Sequence, residues 1–434
     1  MTVQRNRFLS DMLSTLFDRS DRLRGKSDDR DIKDLCLALL STEGVISGQA
    51  LAATIFEQYQ LLSGDEKYDF FSFLNDHLDL DAHALADLAA AYAEAPDPEI
   101  FAALSRAAEP KRQELLRRLN QPMGATAGLV AMRVDLLRLL KNHPQLERTN
   151  HDFTHLLRSW FNRGFLVLKA IDWDTPARIL DKVVAYEAVH QIEDLDDLRR
   201  RLYPPDRRCF AFFHPAMPDE PLIFVEVALT EEIPGSVTEL LSEGRAPLEA
   251  EDAKTAAFYS ISNCQKGLSG ISFGNQLIKQ VVAELSLALP HLRQFVTLSP
   301  IPGLNRWLET QTENTEHGHV AQAVLERRAN PADVRAMAAR FLLLAKRDDG
   351  LPLDPVARFH LGNGAQVYDI HADADISPNG RAQSSGAMVN YLYDLSQTQD
   401  RHEAFALRSE VSAAKPALAL STAAITTKLK DHSS

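Results

Sequence analysis

The amino-acid pattern of the chain changes near residue 163, and this change limits the folds that are open to it. Before that point, apolar residues recur at helical spacing, prolines separate the periodic segments, and β-branched runs are absent. One helical run places its apolar residues at Leu129, Met132, Leu136, Leu137 and Leu140. Short links between amphipathic helices are typical of a bundle, so we predict an all-helical bundle domain over residues 1–162.

From residue 163 onward, apolar β-prone runs alternate with helical segments. The strand candidates cover residues 165–173, 208–215, 222–229, 258–262, 294–299 and 387–395. The MPDE segment at 217–220 is predicted to be a hairpin turn, and 360–373 is predicted to be irregular. Because 434 residues are too many for one core, we predict an α+β protein in which a mixed α/β domain, residues 163–434, follows the bundle.

Charge and cysteine content narrow the class of protein. The net charge is −13, and no block of Lys and Arg stands apart from its counter-charges. This argues against nucleic acid as a partner but leaves room for a local pocket that binds a phosphorylated ligand. Cys36, Cys209 and Cys264 lie far apart without CxxC spacing, so a disulfide framework and a cysteine zinc site are not expected.

The two terminal segments and the length of the apolar runs indicate where in the cell the protein is expected. The N-terminal MTVQRNRFLSDMLSTLF has helical periodicity rather than the pattern of a secretory signal, and the C-terminal KLKDHSS differs from a peroxisomal SKL. No apolar run approaches the length of a membrane span. We expect a cytoplasmic protein without a membrane partner.

A glycine-rich segment between a strand and a helix is the first candidate binding site. Gly267, Gly270 and Gly274 follow the strand candidate FYSIS and precede the helix GNQLIKQVVAELS. Such a turn presents backbone N–H groups and a helix N-terminus to a phosphate. The segment is neither a GK[ST] P-loop nor a GxGxxG fingerprint. Taken alone, the pattern equally allows an ordinary loop-to-helix turn.

A serine and a histidine are the candidate catalytic residues. QFVTLSPIPG brings Ser299 to the carboxyl end of a strand, where open α/β sheets keep functional groups. A turn or N-cap serine is the commoner explanation for such a position, and a GxSxG elbow is missing. His360 precedes an Asn363–Gly364 turn, but it is one of 14 histidines, most of which must be structural.

Two histidine pairs compete as metal ligands. His151 and His155 have the i, i+4 spacing of a zinc helix, but Asp replaces the usual Glu and no third ligand is evident in the sequence. The stretch from Glu316 to His319 is also rich in ligand atoms, although its polar neighbours favour an exposed loop. We therefore expect no metal site.

Several of these segments together resemble a known family. FYSISNCQKGLSGISFGNQLIKQVV, FVTLSPIPGLNRWL, FHLGNGA and NYLY resemble malonyl-CoA decarboxylases in order and spacing, from about Trp160 to Tyr393. The glycine-rich turn also looks like a variant of the acyl-CoA-binding turn of GNAT acetyltransferases. The resemblance implies that residues 1–162 are an oligomerisation domain, giving a dimer or tetramer, and that residues 163–434 are a GNAT-like catalytic domain.

The resemblance also assigns roles by motif. It implies that Ser299 and His360 are catalytic and that Tyr393 lies near the substrate. The residues implied to hold the CoA moiety are Ser269, Gly270, Ile271, Ser272, Phe273, Gly274 and Asn275. Animal members of the family carry a glutamate where this chain has Ser272, so a carboxylate role does not transfer to that position.

A hydroxyl and an imidazole are residue types that suit the implied reaction. Loss of CO2 from malonyl-CoA leaves a thioester enolate, which hydrogen-bond donors stabilise, and C2 must then receive a proton. Ser299 would position the malonyl group and accept a proton, and His360 would donate one. Because the thioester is itself the electron sink, no metal, biotin or pyridoxal phosphate is required.

Two other functions use the same segments. A CoA-dependent acyltransferase would pass the acyl group to an amine and release CoA. A noncatalytic acyl-CoA-binding scaffold would bind the ligand without turnover. Decarboxylation differs from both, because the thioester survives the reaction.

Overall fold

The structure is a computed structural model that describes residues 28–271, 277–311 and 317–423. Its contacts divide these residues into two compact units, one up to Leu157 and one from Arg158 onward. The sequence-based boundary at 162/163 lies slightly later in the chain. In the parts described, no helix is both long and apolar enough to cross a bilayer.

The first unit is helical throughout, as the pattern predicts. Its helices are α1 (Ile32–Leu40), α2 (Glu43–Leu61), α3 (Gly64–Asp76), α4 (Ala82–Glu94), α5 (Pro98–Ala107), α6 (Lys111–Leu119), α7 (Ala125–Leu139) and α8 (Glu147–Trp160), the last of which crosses the division. Local signals set their starts: the Ser63 hydroxyl and the Glu66 carboxylate cap α3 reciprocally. Buried aromatic rings, including Phe70, Phe71 and Phe153, occupy the core.

The second unit is built on one mixed seven-stranded sheet. Its strands are β1 (Val167–Ile171), β2 (Arg207–His214), β3 (Met217–Thr230), β4 (Thr255–Asn263), β5 (Gln294–Pro300), β6 (Gln366–His371) and β7 (Met388–Leu392). Their order across the sheet is β1-β2-β3-β4-β5-β7-β6. Only the β4–β5 pair is parallel, and the other neighbouring pairs are antiparallel.

Helices connect and cover these strands. They are α9 (Ala177–Tyr186), α10 (Leu195–Leu202), α11 (Val237–Leu240), α12 (Leu277–Ala288), α13 (Leu304–Thr310), α14 (Gly318–Leu325), α15 (Pro331–Leu343), α16 (Pro355–Gly362), α17 (Pro378–Ser384), α18 (Thr398–Arg408) and α19 (Lys415–Thr422). The helix α9 contributes Ile179, Leu180 and Val183 to a buried apolar cluster on one face of the sheet.

Two local predictions are wrong. MPDE at 217–220 is the start of β3 rather than a turn, because the hairpin already reverses between His214 and Met217, which pair across it. The segment 360–373 is not irregular, because residues 360–362 end α16 and residues 366–371 form β6. Its side chains are mixed in polarity, so the strand has no clear alternation, and its pairing with β7 supplies the hydrogen bonds that stabilise it.

The parallel pair separates towards its carboxyl end. β4 and β5 pair only from Thr255 and Gln294 to Phe258 and Thr297, although both strands continue. A register shift in β4 accompanies this, because Tyr259 is the extra residue between two positions that pair with β3. A bulge of this kind bends its strand. We call the resulting gap between the ends of β4 and β5 the strand opening.

Candidate active site

Ser299 and His360 lie within hydrogen-bonding distance beside the strand opening. Ser299 is the penultimate residue of β5, and its Oγ is 3.1 Å from Nε2 of His360. The Ser299 hydroxyl also donates to Oγ1 of Thr297 at 2.9 Å. Residues two apart in a strand share a face, which explains why Thr297 and Ser299 meet. The structure thus joins two predicted residues that are 61 positions apart in the chain.

His360 is held by the end of a helix and by a tight turn. It lies in the last turn of α16, which ends at the predicted Asn363–Gly364 turn. Gly364 has φ +82°, and a Cβ there would come within 2.0 Å of the carbonyl oxygen of Thr398. Only glycine tolerates both the positive φ and the lack of space for a Cβ. The turn at Gly364 therefore sets where α16 ends.

Two tyrosines of the NYLY motif complete the surroundings of His360. The Tyr393 hydroxyl is 2.9 Å from Nδ1 of His360. The Tyr391 ring stacks on the imidazole, with centroids 4.5 Å apart and planes at 25°. Because the Ser299 proton points to Thr297, all partners are satisfied when Nε2 of His360 carries its proton and Nδ1 accepts the Tyr393 hydroxyl.

Burial controls the charge of this group of side chains. Ser299 is 5% exposed, and His360 and Tyr393 are each 3% exposed. Burial lowers the pKa of His360 to about 3, because desolvation disfavours the imidazolium. Burial also raises the pKa of Tyr393 above its ordinary value. Near neutral pH the free site is therefore an uncharged hydrogen-bonded chain from Tyr393 through His360 to Ser299.

The β4 side of the strand opening is also polar. Counted from the Phe258–Thr297 pair, Ser260 and Ser299 are each two residues further along, so they stand on opposite sides of the opening. The Ser260 hydroxyl donates to the Glu187 carboxylate at 2.9 Å, and the Ser262 hydroxyl does so at 3.3 Å. Backbone N–H groups of residues 189 and 190 donate to the same carboxylate.

The glycine-rich turn follows β4 directly. A short 3-10 turn, Lys266–Leu268, leads to Ser269, Gly270 and Ile271, and Gly270 has φ +76°, which favours glycine. A guanidinium N–H of Arg158 donates to the carbonyl of Gly270 at 3.4 Å. The remaining predicted CoA-binding residues, Ser272, Phe273, Gly274 and Asn275, lie outside the described residues.

Sequence reasoning missed several side chains of this site. Thr297 and Tyr391 could have been found from period-two spacing, since they precede Ser299 and Tyr393 by two residues. Glu187 carried no local signal, because it reaches Ser260 across 73 residues. Neither histidine pair gains a third ligand in the described segments, where no group of three His, Cys, Asp or Glu side chains could hold a metal; Glu316 falls outside them.

The fold and the site define the class of protein. A helical unit precedes a mixed sheet whose one parallel pair opens beside a glycine turn and a buried Ser–His–Tyr chain. This is the predicted arrangement of a helical domain followed by a mixed α/β domain, and that fold class is confirmed.

Comparison with known proteins identifies the family. The malonyl-CoA decarboxylase C-terminal domain matches residues 164–431, and the N-terminal domain of that family matches residues 78–161. The chain belongs to the malonyl-CoA decarboxylase family, and the resemblance stated from the sequence is confirmed.

Solved structures and curated relatives agree with this. The malonyl-CoA decarboxylase from Rhodopseudomonas palustris is 48% identical and has a TM-score of 0.83, covering 89% of this chain and 98% of its own. The one from Agrobacterium vitis is 46% identical with a TM-score of 0.85, covering 90% and 99%. A mitochondrial malonyl-CoA decarboxylase from Anser anser anser is 34% identical over 71% of this chain and 69% of its own length.

Proposed function

We propose that this protein decarboxylates malonyl-CoA to acetyl-CoA and CO2. The observation that carries the proposal is the buried Tyr393–His360–Ser299 hydrogen-bonded chain beside the strand opening, in a member of the malonyl-CoA decarboxylase family. A hydroxyl and an imidazole that takes up and delivers one proton suit a reaction that needs one developing oxyanion stabilised and C2 protonated.

Binding precedes the chemistry. The backbone of Ser269–Asn275 holds the CoA moiety, as the family resemblance implies, and the pantetheine arm enters the strand opening. When the substrate binds, the Ser299 hydroxyl turns its hydrogen from Thr297 to the thioester oxygen. It thereby orients the malonyl group so that the bond to the leaving carboxylate lies out of the thioester plane and overlaps the carbonyl π-system. Tyr393 lies beside the malonyl group as well, because its hydroxyl is hydrogen-bonded to His360.

The reaction then runs through an enolate. The bond between C2 and the carboxylate breaks, CO2 leaves, and the electron pair moves into the thioester as an enolate. His360 takes up a proton from solvent when the malonyl group binds, and its imidazolium gives the Nε2 proton to C2 of the enolate and returns to the neutral form. The malonyl carboxylate favours this donor, because an anion beside a buried imidazole raises the imidazole pKa from the low value of the free site. The Tyr393 hydroxyl keeps Nδ1 oriented throughout.

The proposal predicts turnover with malonyl-CoA alone. Purified protein incubated with malonyl-CoA, without added metal or cofactor, is expected to form CO2 and acetyl-CoA in equal amounts, because the thioester is conserved. Chromatography of the acyl-CoA species and labelled CO2 release measure both products. Release of free CoA in the presence of an amine would favour an acyltransferase, and binding without either product would favour a scaffold.

We also propose that residues 1–162 are an oligomerisation domain, that residues 163–434 are the catalytic domain, and that the protein is a dimer or tetramer. In support, α4 and α5 pack together through Tyr92 and Phe101 at 5.8 Å, yet neither helix has a buried residue. Phe101 is 55% exposed, so the pair presents apolar surface for a second copy.

Size-exclusion chromatography with light scattering tests this assembly. The wild type is expected to run as a dimer or tetramer, and Phe101→Glu is expected to shift it to smaller species by placing a charge in the interface. Leu407→Glu is the control, because Leu407 is 78% exposed and lies on α18 of the other unit. A monomeric wild type would contradict the proposal.

We propose a cytoplasmic location as well. The cysteines at 36, 209 and 264 are all free and buried, which suits a reducing compartment.

A further inference from the structure

Asp354 is a buried carboxylate at the start of the helix that carries His360. The residue is 0% exposed. Its Oδ1 accepts the backbone N–H of Ala357 at 2.8 Å, and it is the N-cap of α16. An N-cap side chain fixes the direction in which a helix leaves its first turn. The position of Asp354 therefore influences where the His360 side chain arrives.

The same carboxylate faces the turn that leaves the Ser299 strand. β5 ends at Pro300, and the turn that follows brings the backbone N–H of Gly303 near enough to oppose the rise that burial causes in the pKa of Asp354, although Oδ2 has no hydrogen-bond partner among the described residues. The contact is close, because a Cβ on Gly303 would lie 3.7 Å from Oδ2 of Asp354 and 2.8 Å from the Phe341 ring. Asp354 thus contacts the chain segments of both Ser299 and His360.

Tyr391 provides a third connection to His360. Its ring stacks on the imidazole, and its pKa is raised by burial and further by the charge of Asp354. The Asp354 carboxylate therefore lies close to three segments around His360, which are the start of α16, the Gly303 turn and β7. No other described carboxylate is hydrogen-bonded to the first turn of α16.

We propose that Asp354 is a positioning residue that sets the separation between Ser299 Oγ and His360 Nε2. Its carboxylate caps the N-terminus of α16 and packs beside the Gly303 turn, so the two catalytic candidates approach each other from neighbouring segments. Asp354 does not contact the substrate. The inference rests on the proposed decarboxylation, because turnover is the quantity that reports the separation.

The ionisation state of Asp354 makes this role depend on pH. Burial raises its pKa to about 6, although the N–H groups of Ala357, Gly303 and Val356 and the charge of Arg358 oppose the shift. Above that pH the carboxylate is ionised and its hydrogen bonds are charge-assisted, hence stronger. As the pH falls through about 6, the anchor weakens and kcat/KM is expected to fall.

The other groups near Asp354 do not change charge in this pH range in the free protein. His360 stays neutral because burial lowers its pKa to about 3. Tyr391 and Tyr393 stay neutral because burial raises their pKa values, and Arg358 stays charged. A step in kcat/KM near pH 6 that depends on residue 354 would therefore report Asp354, because kcat/KM follows ionisations of the free protein.

Two substitutions separate positioning from simple stability. Asp354→Ala removes the cap and is expected to lower kcat about 10- to 100-fold with KM within about threefold, because small displacements of reacting groups cost that much. Asp354→Asn keeps a neutral N-cap acceptor, so its kcat/KM is expected to exceed that of Asp354→Ala and to match the level of the wild type below about pH 6. The kcat/KM–pH profile of Asp354→Asn is expected to lack the rise near pH 6, since the amide cannot ionise.

Asp194→Ala is the matched control. Asp194 caps α10 by accepting the N–H of Asp197 at 2.7 Å, and α10 carries neither Ser299 nor His360. Its loss is expected to lower the melting temperature and leave kcat unchanged. An equal fall in kcat for Asp194→Ala, wild-type kcat in Asp354→Ala, or an unchanged pH step in Asp354→Asn would each overturn the inference.

The outcomes also separate this inference from the proposed function. A folded wild type that binds CoA but leaves malonyl-CoA intact refutes both. An active wild type with Asp354 variants that behave like it refutes only the positioning role. If Asp354→Ala does not fold, Asp354→Asn decides the question through its pH profile.

Discussion

His360→Asn is expected to lower kcat for malonyl-CoA decarboxylation about 1,000-fold, in the middle of the range for loss of a general acid. The imidazole bridges the Ser299 and Tyr393 hydroxyls through its two ring nitrogens. An asparagine amide is shorter and cannot span both partners. The amide also does not ionise near neutral pH, so asparagine cannot supply the proton to C2. Steady-state formation of acetyl-CoA measures the loss.

Affinity separates catalysis from binding at this position. CoA binding to His360→Asn, measured by calorimetry, is expected to stay within about threefold of the wild type, since an interaction made only in the transition state changes kcat alone. His291→Asn is the control, because His291 contacts the carbonyl of Ala250 and none of the site residues. Equal losses of kcat and CoA affinity would mean that His360 serves binding.

Ser299→Ala is expected to lower kcat about 100- to 1,000-fold, the loss typical of removing one donor to a developing oxyanion. The substitution removes the group that holds the malonyl carbonyl and leaves the Nε2–H of His360 without its acceptor. An unpaired buried donor is costly, so the imidazole is expected to turn away from its productive orientation. The same acetyl-CoA assay measures this variant.

A serine of equal burial provides the control. Ser421 is 5% exposed, as Ser299 is, and its hydroxyl donates to the carbonyl of Leu418 within α19. Ser421→Ala is expected to retain wild-type turnover. Full activity in Ser299→Ala would remove the serine from the mechanism, and a loss of CoA affinity alone would favour the acyl-CoA-binding scaffold over an enzyme.

The local pattern around the site allowed several correct predictions. The alternation in QFVTLS predicts a strand that ends near Ser299, and the structure has β5 over Gln294–Pro300. The Asn363–Gly364 pair predicts a turn just after His360, and α16 ends there. These features depend on neighbours within a few residues, because backbone sterics and side-chain periodicity act over that range.

The missed residues are those whose role depends on distant partners. Asp354 resembles a surface carboxylate in the sequence, because aspartates are rarely fully buried, yet it contacts the Gly303 turn about fifty positions earlier. β6 was missed for a similar reason. Its mixed side chains become a strand only because β7 supplies hydrogen bonds to it.

The sequence by itself determined the helical first part, the β-rich second part, the family, and the strand and turn that carry Ser299 and His360. Only the tertiary structure decided that Ser299, His360 and Tyr393 form one buried chain, since these contacts span 61 and 33 residues. The physical reason is that secondary structure follows from local periodicity. The approach of distant side chains depends instead on the strand order of the sheet. This order places β7 beside β5, and the pairing of β4 with β5 stops before either strand ends.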